Sequence, residues 1–107
     1  MRVNVRFKLW LEYNGKPIIG YGGANLLRLI DEYGSISRAA ESLGISYKFA
    51  WNYIKKIEDR LGLKIVETHR GGTSRGGARL TDVGRELMET YFHYYNLVNE
   101  ALREGRG

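Results

Sequence analysis

Lys48, Asn52 and Lys55 stand four and three residues apart in a stretch where Ala50, Ile54, Ile57 and Leu61 recur at helical spacing. Stepping about 100° per residue from Ala50 puts that apolar stripe near 0° and sets Trp51, Lys55, Lys48 and Asn52 at roughly 100, 140, 160 and 200°. These four side chains face away from the stripe. A lysine donates to a guanine edge or to a phosphate, an asparagine pairs bidentately with adenine, and a tryptophan packs on a thymine methyl or a sugar. Trp51, at the margin of the stripe, either joins that outward face or roofs the core. A second group follows, in which Gly71-Gly72 and Gly76-Gly77 bracket Thr73, Ser74 and Arg75, with Arg70 just ahead. Such a loop brings its backbone close to a duplex and offers hydroxyl and guanidinium donors to phosphate or a minor groove. A nucleotide cradle is disfavoured, because there is no Walker Gly-Lys-Ser/Thr run and no helix begins within the loop.

Other chemistry finds little support. His69 and His93 are the only histidines, and neither has a carboxylate or nucleophile at motif spacing. Cysteine is absent, which removes disulfide scaffolds, thiolate zinc sites and cysteine nucleophiles. Glu58-Asp59 reads as a pair of helix-surface charges rather than a catalytic acid pair. No catalytic residue, metal site or cofactor is therefore expected.

The elements that must hold these residues can be read along the chain. Val3, Val5, Phe7, Leu9, Leu11 and Tyr13 alternate with mostly polar residues, the period of a strand from Val3 to Tyr13 with one buried face. Asn14-Gly15 is a turn signal, with Ile18-Ile19 returning as a short partner, so residues 1–20 form a hairpin. Leu26, Leu27, Leu29, Ile30 and Tyr33 predict a helix that Gly34 stops. Ser35 and Ser37 offer caps for a second helix, Arg38 to Leu43, and are also candidate phosphate donors. Gly44 permits a sharp turn, and Ser46 can cap a third helix that ends at Gly62. Leu63 to Thr68 and Ala78 to Thr81 read as the strands of a basic-tipped hairpin. A last helix runs from Asp82 to about Glu104, some 35 Å at 1.5 Å per residue, too long for so small a core to cover.

Helix, tight turn, helix, then a glycine-rich hairpin is the order of a winged helix-turn-helix, which presents its second motif helix to the major groove. The expected fold class is thus mainly α with small β elements (α+β). It comprises one domain over residues 1–107, with the winged core at 24–81 and the long helix at 82–104. Ser46 and Tyr47, at the entry to the third helix, join Ser35, Ser37, Lys48, Trp51, Asn52, Lys55, Arg70, Thr73, Ser74 and Arg75 as candidate DNA contacts.

The 107 residues fit one compact domain. Seventeen Lys and Arg against 12 Asp and Glu leave a net charge of +5, which favours an acidic partner. The charge is uneven: residues 63–80 carry four basic residues against Glu67 alone, whereas residues 81–107 carry five acidic against three basic. No apolar run approaches the ~20 residues needed to span a bilayer, and the N-terminus lacks a signal-peptide pattern, so a cytoplasmic protein is expected. On the last helix, Leu87, Tyr91, Tyr94, Val98 and Ala101 follow heptad spacing, widened by Met88, Tyr95 and Leu102. With Phe92 among its four aromatics, this face wants a partner. Leu87, Tyr91, Tyr94, Tyr95, Val98 and Leu102 are the candidate interface of a symmetric homodimer, which would present two recognition helices to half-sites about 34 Å apart or a multiple of that.

Gly34-Ser35-Ile36-Ser37-Arg38-Ala39-Ala40 and Gly44-Ile45-Ser46-Tyr47-Lys48-Phe49-Ala50-Trp51 together resemble the DNA-binding domain of the molybdate-responsive ModE regulators. The stretch from Gly71-Gly72 through Gly76-Gly77-Ala78-Arg79-Leu80-Thr81-Asp82-Val83-Gly84 is similar to that family's wing and the start of its long helix. The resemblance covers roughly residues 20–104. A looser similarity to LysR-type regulators appears in Ile54, Ile57, Glu58, Leu61-Gly62 and Leu80-Thr81. The resemblance to ModE regulators implies a dimeric transcriptional regulator, in a family tied to molybdenum transport, that binds double-stranded DNA and not a membrane. Full-length ModE regulators carry a molybdate-binding region after the long helix, and nothing before Gly107 corresponds to it. The expectation is therefore a protein that binds DNA constitutively or takes its signal from a separate effector-binding protein. Two other readings stand beside this one: an architectural protein that coats DNA without reading it, and a winged-helix module that docks another protein.

Overall fold

Hydroxyl caps open three of the four described helices, and left-handed glycines close three. The computed structural model describes residues 1–69 and 77–105. Strands β1 (Leu11–Tyr13) and β2 (Lys16–Ile19) pair antiparallel around Asn14 and Gly15, whose φ angles of 51° and 77° suit a two-residue hairpin loop. Helices α1 (Tyr21–Tyr33), α2 (Ile36–Leu43) and α3 (Tyr47–Leu61) follow, then strands β3 (Val66–His69) and β4 (Gly77–Leu80), and finally α4 (Asp82–Glu104). Each hairpin is its own two-stranded sheet. The Ser35 hydroxyl accepts from the Arg38 amide at 3.1 Å, Ser46 from Phe49 at 3.0 Å, and Thr81 from Gly84 at 3.0 Å. These caps satisfy amides that the first turns of α2, α3 and α4 cannot pair internally. Between α2 and α3, Gly44 takes φ 71°, a left-handed conformation that turns the chain sharply enough to start α3 at Tyr47.

The core joins Leu26, Leu27 and Ile30 of α1, Ala39 and Ala40 of α2, and Ala50, Ile54 and Ile57 of α3. The wing adds Ile65, Val66, Ala78 and Leu80, and α4 adds Tyr91. The alanines let α2 and α3 approach closely, and a Cβ on Gly84 would collide with the Ile65 carbonyl oxygen. Glycine there allows the first turn of α4 to rest on the chain leading into β3. A bidentate pair from Arg85 to Asp31, at 2.7 and 3.2 Å, ties α4 to α1.

Several expectations need correction. Of the strand foreseen from Val3 to Tyr13, only Leu11–Tyr13 pairs. β2 has just four residues before α1 begins, so the residues ahead of Leu11 have no hairpin partner among the described residues. The alternation survives as packing: Phe7 and Leu9 are half-buried against α4, while Val3 and Val5 are each 72% exposed. The second helix starts at Ile36 rather than Arg38, which puts Ser37 inside it. β3 begins at Val66, not Leu63, and includes His69.

Candidate nucleic-acid interface

α3 is anchored by Ala50, Ile54 and Ile57, each almost fully buried. Fixing that face turns the opposite one outward, and Lys48 and Asn52 lie on it, exposed and one helical turn apart. Ser46 and Tyr47 are exposed at the entry to the helix. Ser35 and Ser46 use an oxygen lone pair as caps, which leaves each hydroxyl proton available to a phosphate. Ser37 is exposed on the first turn of α2.

Lys55 and Trp51 form a different arrangement. The Lys55 ammonium sits 4.5 Å from the centre of the Trp51 ring and 3.3 Å from Glu58 Oε1. Trp51 is half-buried against the core, so it roofs one flank of the helix while keeping an open edge. Lys55 thus lies over Trp51 and pairs with Glu58 while 36% of its side chain stays exposed. Glu58 corrects the expectation of a surface charge: it is only 8% exposed, and its Oε2 accepts from the Ile65 amide at 2.8 Å and the Val66 amide at 3.3 Å. Burial alone pushes its carboxyl up, but the two amides and the Lys55 ammonium together outweigh burial and hold it below the ordinary glutamate range. A carboxylate on α3 thus clamps the entry to the wing.

The wing strands are pinned by Val66 and Leu80 inside and by an Arg79–Glu67 pair at 3.1 Å outside. Arg70, Gly71, Gly72, Thr73, Ser74, Arg75 and Gly76 lie outside the described residues.

The expected interface on α4 divides in two. Tyr91 is 0% exposed, and its hydroxyl donates to the Leu9 carbonyl at 3.0 Å. Tyr95 packs between Phe7 and Tyr21, with ring centroids 5.2 and 5.0 Å away. Tyr91 therefore belongs to the chain's own core and offers no surface to a second subunit, and Tyr95 is partly occupied in the same way. Leu87, Val98 and Leu102 are half-buried, whereas Tyr94 and Leu97 stand in solvent at 50% and 53% exposure. Leu97 lies outside the heptad seam of Leu87, Tyr91, Tyr94, Val98 and Ala101. Sequence reasoning also passed over Phe49, which the same helical wheel places at roughly 260°, at the margin of the stripe opposite Trp51.

Among the described residues no cluster of three or more His, Asp or Glu could hold a metal ion, and no helix is long and apolar enough to cross a membrane. The helix pair α2–α3, its glycine turn and the β3–β4 hairpin together define a winged helix-turn-helix. Several solved structures share that fold. The CbnR DNA-binding domain, in a crystal structure of its complex with DNA, aligns with a TM-score of 0.61 at 21% identity over 79% of this chain and 92% of that one. ArgP from Mycobacterium tuberculosis aligns at 0.58, with 26% identity over 78% of this chain and 30% of that one. Residues 24–85 match the bacterial regulatory helix-turn-helix proteins of the lysR family, and the chain belongs to that family. Its curated relatives include the molybdenum-pterin-binding protein MopA of Rhodobacter capsulatus, 35% identical over 94 residues, which are 88% of this chain and 36% of the relative. The DNA-binding transcriptional dual regulator ModE of Escherichia coli (strain K12) is 42% identical over 67 residues, 63% of this chain and 26% of the relative. The chain thus spans about a third or less of the length of these relatives.

Proposed function

We propose that this chain is the DNA-reading module of a sequence-specific transcriptional regulator of the ModE type, working as a homodimer in the cytoplasm. The observation that carries this reading is the exposed row of Lys48 and Asn52 on α3, with Ser46 and Tyr47 at its entry, set on a helix whose opposite face is fully committed to the core. α3 enters the major groove, where Asn52 reads a base edge and Lys48 a guanine or a phosphate. The wing tip, with Arg70, Thr73, Ser74 and Arg75, grips the backbone or minor groove, and Ser35 and Ser37 donate to phosphate at the start of α2. The role is recognition and needs no catalytic step. Tyr94, Leu97, Val98 and Leu102 on α4 supply the apolar surface for pairing two copies.

Selection of bound duplexes from a random library tests this reading. The expected product is a consensus with two-fold symmetry, its half-sites spaced by about one turn of DNA or a multiple. Recovery of unselected sequence at equal affinity would point instead to a protein that coats DNA, and an absence of binding at low salt would overturn the reading altogether.

A further inference from the structure

Phe49 is the third residue of α3, and 59% of it is open to solvent. Its position is not loose: its amide donates to the Ser46 cap at 3.0 Å, and the next residue, Ala50, is fully buried. On the helix surface Asn52 neighbours both Phe49, three residues before it, and Lys48, four before it, so Asn52 stands between the two. The side of the ring away from Asn52 lines a cleft of about 300 Å³ together with Tyr21, Leu43, Ile45 and Tyr53, and no charged side chain lines that cleft. A phenyl ring in this place has nothing to offer a phosphate. The apolar feature on the base edges of the major groove is the C5-methyl group of thymine, and the first turns of a recognition helix are the part that reaches those edges.

We infer that Phe49 reads thymine, packing its ring on a C5-methyl beside the base contacted by Asn52. This inference rests on the DNA-binding reading above and adds to it a residue and a base preference. It also separates two kinds of readout within one patch, hydrogen bonding at Asn52 and methyl contact at Phe49.

The test uses the duplex recovered by selection, remade with deoxyuridine in place of every thymidine, which removes the methyls and leaves the Watson–Crick edges unchanged. The unaltered chain should bind the uracil duplex at least about fourfold more weakly than the thymine duplex, the worth of one buried methyl-sized group. Phe49→Ala should bind both duplexes equally, and Phe49→Leu, which keeps an apolar side chain, should retain most of the discrimination. A thermal melt of each variant checks that this exposed position leaves the fold intact. Equal binding of both duplexes by the unaltered chain, or discrimination preserved in Phe49→Ala, would overturn the inference while leaving DNA binding in place. Failure to bind either duplex would instead remove the reading beneath it.

Discussion

The Glu58 carboxylate accepts from two amides at the entry to β3 and meets the Lys55 ammonium, which lies over Trp51. Substituting Glu58→Ala leaves two largely shielded amides without an acceptor and should cost about 1–3 kcal/mol, read from the midpoint of urea denaturation. The same contacts give a pH dependence. Because the folded-state carboxyl is held below its unfolded value, its contribution to stability is present above the unfolded glutamate range and disappears as the pH falls through the folded value. Glu58→Gln should therefore narrow the stability gap to the unaltered chain at acid pH, as measured by thermal melts across a pH series. The proposed DNA face divides similarly by residue. Asn52→Ala should relax preference at one base position by about 1–3 kcal/mol in competition binding. Lys48→Gln should lower the salt slope of log affinity by about 0.9 if it serves one phosphate, and Lys55→Gln by less, since Lys55 is already engaged within the protein.

At the scale of elements, the N-terminal segment is held by side chains rather than by a strand ladder. Tyr91 donates to the Leu9 carbonyl, and Phe7 packs on Tyr95, so residues 7–9 lie against α4 beyond the end of β1. Tyr91→Phe keeps the ring and removes that bond, so a loss of about 0.5–1.5 kcal/mol is expected. Faster hydrogen exchange confined to the first dozen residues would locate the effect. Most helix boundaries were legible in the sequence because their signals are local: Ser46 caps the first turn of α3, and Gly34, Gly44 and Gly62 end α1, α2 and α3 in left-handed conformations, whereas α2 opens directly after Ser35 and two residues ahead of its expected start. The first strand was overread because alternation reports which side of a segment is covered and not whether a hydrogen-bonding neighbour exists.

Across the whole molecule the fold spans 57 × 30 × 20 Å, a long shape for its length. Tyr94 and Leu97 keep about half their surface in water on α4. The double substitution Tyr94→Asp and Leu97→Asp should shift the protein toward monomer in sedimentation velocity and weaken binding to a two-half-site duplex far more than to a single half-site, while far-ultraviolet circular dichroism stays unchanged. The amino-acid sequence by itself determined the order of helices, turn and hairpin and the outward direction of Lys48 and Asn52, because caps, glycine turns and 3.6-residue periodicity act within a few residues of chain. Only the tertiary structure decided that Glu58 faces inward, that Lys55 is tethered, that Phe49 stays uncovered and that Tyr91 is spent on the chain's own core. Those outcomes depend on which distant segment arrives against each helix: Ile65 and Val66 come to Glu58, and Leu9 comes to Tyr91. Spacing along a single helix carries no record of such meetings.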